Sequence, residues 1–187
     1  MSDRTSLEIE FKCLISKDEY ESLLNEFKIS DSDIKEQTNY YFDTKDLELR
    51  AKHIMCRIRQ KKNQYKITVK TKNENNDNIE NHYFLTEDEG KRMILEGMDG
   101  KYANTSSYLY NVASLKTERV SFPYEGGKLF FDKSSYGTKV DYEIEYEVTN
   151  KKKGEAIFNE LLASHNIKHQ EAISKSQRCF KEAGLIK

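Results

Sequence analysis

Two stretches of the sequence, Leu7-Glu8-Ile9-Glu10-Phe11-Lys12 and Tyr142-Glu143-Ile144-Glu145-Tyr146-Glu147, alternate apolar and charged residues. Side chains alternate between the two faces of a β-strand, so each stretch predicts a strand with one charged and one apolar face. Two carboxylates at positions i and i+2 then lie about 6–7 Å apart. Two such pairs facing each other could surround Mg²⁺ or Mn²⁺, because these ions prefer hard oxygen ligands.

Positive charges follow the same period of two in other predicted strands. They are Arg57, Arg59, Lys66, Lys70 and Arg119. If the basic and acidic faces share a cavity, carboxylates would hold a cation while guanidinium and ammonium groups bind phosphate oxygens. The alternative is a set of half-solvated strands with Glu–Lys pairs across a wet face. Like charges cluster within strands, which favours the shared cavity, but the pattern alone leaves both interpretations open.

The remaining organisation is typical of one α+β domain spanning residues 1–187. Capping boxes at 16–19 and 86–89 predict two helices, a third is predicted from Lys152 to Ser164, and a short fourth follows Ser174 and ends near Gly184. The polar run 73–78 is predicted to be a loop. Period-2 segments predict eight strands, enough to close a small antiparallel barrel: Leu7–Leu14, Asn39–Asp43, Ile54–Arg59, Gln64–Lys72, Ile79–Leu85, Ser114–Phe122, Lys128–Asp132 and Val140–Val148.

Composition excludes several classes of function. The chain has 187 residues and carries 31 Lys+Arg against 32 Asp+Glu, a formal net charge of −1. This balance argues against a protein that coats nucleic acid or an acidic membrane, since such proteins carry a basic excess. Cys13, Cys56 and Cys179 are far apart and predict neither a zinc site nor a disulfide framework. No segment approaches the about 20 apolar residues of a membrane span, so a cytoplasmic protein is expected.

The order of the motifs resembles that of the CYTH family, also called triphosphate tunnel metalloenzymes. This family unites class IV adenylate cyclases, thiamine triphosphatases and inorganic tripolyphosphatases. Glu8-Ile9-Glu10-Phe11-Lys12 matches its E-x-E-x-K signature, and Tyr40-Tyr41-Phe42-Asp43-Thr44 is similar to its Y-F-D-T segment. Arg57-Ile58-Arg59 and Thr68-Val69-Lys70 are similar to its R-x-R and T-x-K strands. Further matches follow in the family's order, at Glu80, Arg119, Asp132, Tyr136, Glu143, Glu145 and Lys175.

The resemblance covers nearly the whole chain and implies an eight-stranded antiparallel β-barrel that forms a charged tunnel, with surrounding helices. On this interpretation the charged faces point into the tunnel. The apolar faces, which include Ile9, Ile58, Val69 and Ile144, pack outwards beneath the helices.

The resemblance also implies roles for individual residues. The implied metal ligands are Glu8, Glu10, Asp132, Glu143 and Glu145. Glu8, Glu10, Glu145 and Lys12 are the implied catalytic residues. The implied substrate-binding residues are Lys12, Arg57, Arg59, Lys66, Lys70, Arg119, Lys175 and Arg178. Lys66 is included because it shares a strand face with Lys70, and Arg178 because it lies three residues after Lys175 in a predicted helix. The role of Glu80 stays open, and Glu147 is the glutamate most readily assigned to solvent.

The implied activity is hydrolysis of a terminal phosphoanhydride, with Mg²⁺ or Mn²⁺ as cofactor. Inorganic tripolyphosphate is the first substrate expected, thiamine or nucleoside triphosphate the second, and cyclisation of ATP by a class IV-type adenylate cyclase the third. A module that binds polyphosphate or a nucleotide without catalysis is the alternative from another class. A triphosphate-containing small molecule is the expected partner, without nucleic acid or membrane. Exposed apolar residues on the barrel wall could support a homodimer.

Overall fold

A computed structural model describes residues 2–74, 78–170 and 173–187. Its strands are β1 Arg4–Ile15, β2 Lys35–Asp43, β3 Met55–Lys61, β4 Gln64–Lys72, β5 Asn78–Leu85, β6 Met98–Asp99, β7 Tyr108–Tyr124, β8 Gly127–Tyr136 and β9 Lys139–Val148. Its α-helices are α1 Lys17–Glu26, α2 Glu48–Ala51, α3 Glu87–Glu96, α4 Lys151–Ser164 and α5 Lys175–Glu182. Two 3₁₀ segments, Asp31–Asp33 and Gly100–Ala103, complete the described elements.

Eight of the strands close into an antiparallel barrel, which confirms the predicted architecture. The strand order is β2-β3-β4-β5-β1-β9-β8-β7, and β7 pairs back with β2. Strand β1 changes partner midway, since its Arg4–Glu8 half pairs with β5 and its Ile9–Ile15 half pairs with β9. This change of partner is the stagger that a closed barrel of tilted strands requires. The short strand β6 pairs with β7 outside the barrel.

The helices begin where the sequence predicts them. Ser16, Thr86 and Ser174 each accept a hydrogen bond from the third backbone N–H of their helix, in complete capping boxes. The two-residue strand β6 and the four-residue helix α2 are not in the prediction. The N-cap residue of α2, Leu47, has a left-handed backbone conformation, and the nearby Asp43 side chain accepts hydrogen bonds from the backbone N–H groups of Leu49 and Arg50. Of the predicted loop at 73–78, residues 75–77 lie outside the described residues, and Asn78 begins β5.

The apolar core lies outside the barrel wall, beneath the helices. Ile58 and Val69 are buried in a cluster with Met93 of α3, and Ile144 is buried in a second cluster with α1 and α4. Gly90 allows α3 to lie close to β4, because a Cβ there would be 2.3 Å from the Tyr65 ring. Ile9, assigned to the same outer layer by its parity, is half-buried. This arrangement leaves the barrel interior to polar side chains.

Helix α5 packs against one end of the barrel. Its Cys179 and Phe180 form a buried cluster with Tyr41, Leu115 and Tyr136 of the barrel strands. This apolar contact places the first turn of α5, which includes Lys175, beside the barrel interior. Within the described ranges, none of the helices combines the length and apolar character needed to cross a bilayer.

Candidate functional site

A cavity of about 700 Å³ occupies the barrel interior, and side chains of both charges line it. Most of the charged residues that the sequence predicts for the site share this lining: Glu8, Glu10, Lys12, Arg57, Arg59, Lys70, Arg119, Glu145 and Lys175. The alternating strands therefore do point their charged faces inwards. Their apolar faces contact the helices, so the half-solvated alternative does not describe these strands.

Three carboxylates converge on one wall of the cavity. One oxygen from each of Glu8, Glu10 and Glu147 lies within 4.8 Å of the others. Glu147 joins the group because the antiparallel register places it directly opposite Glu10. Burial, followed by the charges of Glu145 and Glu8, raises the pKa of Glu10 to about 7. Burial and the charge of Glu8 likewise raise the pKa of Glu147.

The carboxylate wall fits a divalent cation by its donor set and its charge. Hard oxygen donors at this separation suit Mg²⁺ or Mn²⁺, and a bound cation would relieve the repulsion that raises the pKa of Glu10. Neighbouring lysines neutralise the wall in part, since Lys70 contacts Glu8 and Lys12 Nζ lies 3.5 Å from Glu10. Glu147, assigned to solvent by the sequence, lines the cavity instead.

Asp132 and Glu143, predicted as metal ligands, lie below the cavity surface with relative exposures of 0% and 1%. Arg119 Nε donates to Asp132 at 2.6 Å. Lys175 Nζ lies 2.8 Å from Asp132 and 3.1 Å from Glu143, and it also contacts Glu145. Burial lowers the pKa of Lys175, but these carboxylates raise it further, to a value above its usual range. These acids therefore have basic partners of their own.

The opposite wall carries positive charge with little compensation. Arg59 Nε donates to Asn39 Oδ1 at 3.0 Å, and among the described residues no carboxylate forms an ion pair with its guanidinium. Burial, followed by the charges of Arg57 and Arg119, lowers the pKa of Arg59 to about 9. A cationic group held in this way favours an incoming anion, because the anion supplies the missing counter-charge.

Two predicted substrate-binding residues lie off the cavity lining. Lys66 is half-buried beside Arg59, its partner in the β3–β4 register, and burial together with Arg59 and Arg57 lowers its pKa. Arg178 is buried against acidic side chains of β9. The structure adds Arg50 and His53 to the lining. In the sequence, Asp43 of the Y-F-D-T segment could have indicated that Arg50 and His53 lie near the site, because its carboxylate accepts hydrogen bonds from the backbone of α2.

Comparison with known proteins identifies the family. The family model for the CYTH domain matches residues 6–180. The chain belongs to the CYTH family. This CYTH protein is 32% identical over 183 residues to the "Putative triphosphatase YjbK" of Bacillus subtilis (strain 168), across 94% of this chain and 95% of that relative.

Solved structures agree with this assignment. The crystal structure of a "putative adenylate cyclase" from Bacillus halodurans superposes on the CYTH protein with a TM-score of 0.86 and 31% identity, covering 94% of this chain and 98% of that one. HpAC1 from Hippeastrum shares the fold with a TM-score of 0.76 at 19% identity, over 96% of this chain and 97% of that one. The sequence resemblance to the family is thus confirmed.

In this CYTH protein, Glu80 pairs with basic side chains of the positively charged wall. It lies 3.6 Å from Arg57 and opposite Lys70 in the sheet. Burial raises the pKa of Glu80, but Arg57 and Lys70 outweigh it and hold the pKa below the ordinary 4.5. A carboxyl group with a lowered folded-state pKa stabilises the fold above its unfolded pKa, and this contribution is lost as the pH falls.

We therefore expect Glu80→Gln to lower the free energy of unfolding more at pH 7 than at pH 4. Urea denaturation of wild type and variant at both values measures the difference. Glu96→Gln, at an exposed position of α3, is the matched control and should show the same small difference at both values. An equal loss at pH 7 and pH 4 for Glu80→Gln would contradict the assigned ion pair.

Proposed function

We propose that this CYTH protein hydrolyses a terminal phosphoanhydride of a triphosphate bound in its tunnel and that it requires a divalent cation. The observation that carries the proposal is the opposition of charge in one cavity of about 700 Å³, with the Glu8, Glu10 and Glu147 wall on one side and Arg57 and Arg59 on the other. The name of the Bacillus subtilis relative, a triphosphatase, supports the same reaction class.

The chain's own residues supply binding and alignment. Phosphoryl transfer depends mainly on positioning and charge neutralisation. Arg57 and Arg59 would bind phosphate oxygens, and Lys12, 3.5 Å from Glu10, would bind the phosphate nearest the carboxylates. Mg²⁺ or Mn²⁺ held by Glu8, Glu10 and Glu147 would neutralise phosphate charge and lower the pKa of a bound water.

Glu145 supplies a fixed negative charge on the same wall. Burial raises the pKa of its carboxyl group, but Lys175 and Arg119 lower it well below the usual range. Glu145 therefore stays ionised and keeps Lys175 at the cavity surface. This arrangement leaves catalysis to electrostatics and orientation, without a nucleophilic side chain.

Inorganic tripolyphosphate is the substrate that the lining supports best. Among the described lining residues Tyr41 is the one Phe, Tyr or Trp side chain, and its relative exposure is 1%. The exposed imidazole of His53 is then the one other ring among the described lining residues, so the lining offers a purine or a thiamine ring little surface for stacking. Cyclisation of ATP is the second candidate, favoured by the name given to the Bacillus halodurans structure at 31% identity.

A substrate panel tests the choice. Inorganic triphosphate, ATP and thiamine triphosphate are incubated with Mg²⁺ or Mn²⁺, and phosphate, pyrophosphate and cyclic AMP are measured. We expect one phosphate and one pyrophosphate from each inorganic triphosphate, at the highest kcat/KM of the panel. Cyclic AMP and pyrophosphate from ATP would support the cyclase instead. Tight binding of every triphosphate without turnover would support the non-catalytic binding module.

A further inference from the structure

We infer that Arg178 is a positioning residue that keeps Lys175 at the cavity surface by neutralising Glu143. The role of Lys175 in substrate binding rests on the proposed function. Arg178 is 8% exposed, and acceptors surround its guanidinium. Nη1 donates to the Ile173 carbonyl at 2.6 Å, Nη2 donates to Glu143 Oε2 at 2.5 Å, and Nε lies 2.8 Å from Asp141 Oδ2. Each nitrogen of this guanidinium has a protein acceptor within 2.8 Å, and Arg178 lies off the cavity lining.

Glu143 connects Arg178 to Lys175. The Oε2 atom that accepts from Arg178 lies 3.1 Å from Lys175 Nζ. The two basic residues are three positions apart on α5, so they share the helix face that meets β9. The hydrogen bond to the Ile173 carbonyl also fixes the chain just before the N-cap Ser174. Arg178 therefore adds a polar attachment to the apolar contacts of Cys179 and Phe180 that place the first turn of α5 on the barrel.

Charge balance explains why this contact matters for Lys175. Glu143 is 1% exposed, and a buried carboxylate without a cation partner is strongly destabilising. With Arg178 present, Lys175 divides its contacts among Asp132, Glu143 and Glu145 and still lines the cavity. Without Arg178, Lys175 would be the remaining cation beside Glu143. Its ammonium group would then be drawn below the cavity surface, away from the substrate.

A kinetic double-mutant cycle tests the inference. Arg178→Gln, Lys175→Gln and the double variant are compared with wild type in hydrolysis of inorganic triphosphate. We expect each single change to raise KM about tenfold with a smaller effect on kcat, and the double variant to resemble Lys175→Gln. A double variant whose KM equals the product of the two single effects would overturn the inference, because Arg178 would then act independently of Lys175.

Two further variants separate positioning from general anchoring of the helix. Thr138→Ala weakens another contact of α5, since the hydroxyl group and the backbone N–H of Thr138 both donate to Glu182 and alanine keeps only the N–H. We expect its KM to stay at the wild-type value. Arg178→Lys keeps a cation beside Glu143 and should recover part of the lost affinity. A KM for Thr138→Ala as high as that for Arg178→Gln would contradict a specific role of Arg178.

The same double-mutant cycle can be measured through the free energy of unfolding, a readout that does not depend on activity. If Arg178→Gln does not fold, Arg178→Lys takes its place in both cycles. Wild-type protein that hydrolyses no triphosphate would contradict the proposed function but not the Arg178–Glu143–Lys175 connection. Coupling in the unfolding cycle would then support the connection, and strictly additive effects would overturn it.

Discussion

Glu10→Gln should lower cation-dependent hydrolysis of inorganic triphosphate by about 10³-fold, because a cation bound by carboxylates contributes several kcal/mol to transition-state stabilisation. Glu10 is the central member of the carboxylate wall, two residues from Glu8 on β1 and directly opposite Glu147 on β9. Glutamine keeps the size of the side chain and removes its charge. Initial rates of phosphate release at saturating Mn²⁺ measure the effect.

The matched control for this change is Glu96→Gln, an exposed position of α3 that should keep the wild-type rate. Glu147→Gln is informative beside it, since Glu147 shares the oxygen cluster with Glu8 and Glu10. We expect Glu147→Gln to raise the Mn²⁺ concentration needed for half-maximal rate. A wild-type rate and a wild-type Mn²⁺ requirement in both Glu10→Gln and Glu147→Gln would exclude the carboxylate wall as the cation site.

Arg59→Met should raise KM for inorganic triphosphate by about 100-fold with a smaller fall in kcat, since a charge-assisted hydrogen bond contributes about 1.5–3 kcal/mol. Among the described residues, Arg59 has Asn39 as its hydrogen-bond partner and no carboxylate in an ion pair. A bound phosphate would provide the counter-charge that the folded protein lacks. Steady-state kinetics across a range of triphosphate concentrations separates the effects on KM and kcat.

Stability distinguishes this loss of binding from a loss of folding. Burial and the charges of Arg57 and Arg119 lower the pKa of Arg59, so removing its charge relieves repulsion in the free protein. We expect Arg59→Met to unfold at a temperature at least as high as wild type. Arg92→Met, on the exposed surface of α3, is the matched control and should leave KM unchanged. An unchanged KM in Arg59→Met would remove Arg59 from the substrate site.

Most of what the sequence could predict about the site came from strand parity, that is, from the alternation of side chains between the two faces of a strand. Glu8, Glu10 and Lys12 on β1 and Arg57 and Arg59 on β3 all line the cavity, as their alternation with apolar residues indicated. Parity states which face a side chain occupies. It does not state how far along the barrel axis that side chain lies, and this depth decides which carboxylates come close enough to share a cation.

The glutamates of β9 show this limit. Glu143, Glu145 and Glu147 share one face, but successive same-face residues lie about 6–7 Å apart along a strand. The β1–β9 register places Glu147 opposite Glu10, whereas Glu143 lies where α5 covers the barrel. Neither the register nor the docking of α5 follows from local pattern. The sequence predicted Glu143 as a metal ligand and assigned Glu147 to solvent, whereas the structure places Glu143 in a buried ion pair and Glu147 in the cavity lining.

Phosphate release from inorganic triphosphate by the wild-type protein, with Mn²⁺ or with a chelator in its place, is the most direct test of cation-dependent hydrolysis in the tunnel. We expect one phosphate and one pyrophosphate per triphosphate in the presence of Mn²⁺, and no release with the chelator. Equal release in both conditions, or no release from any triphosphate with Mn²⁺ or Mg²⁺, would contradict it.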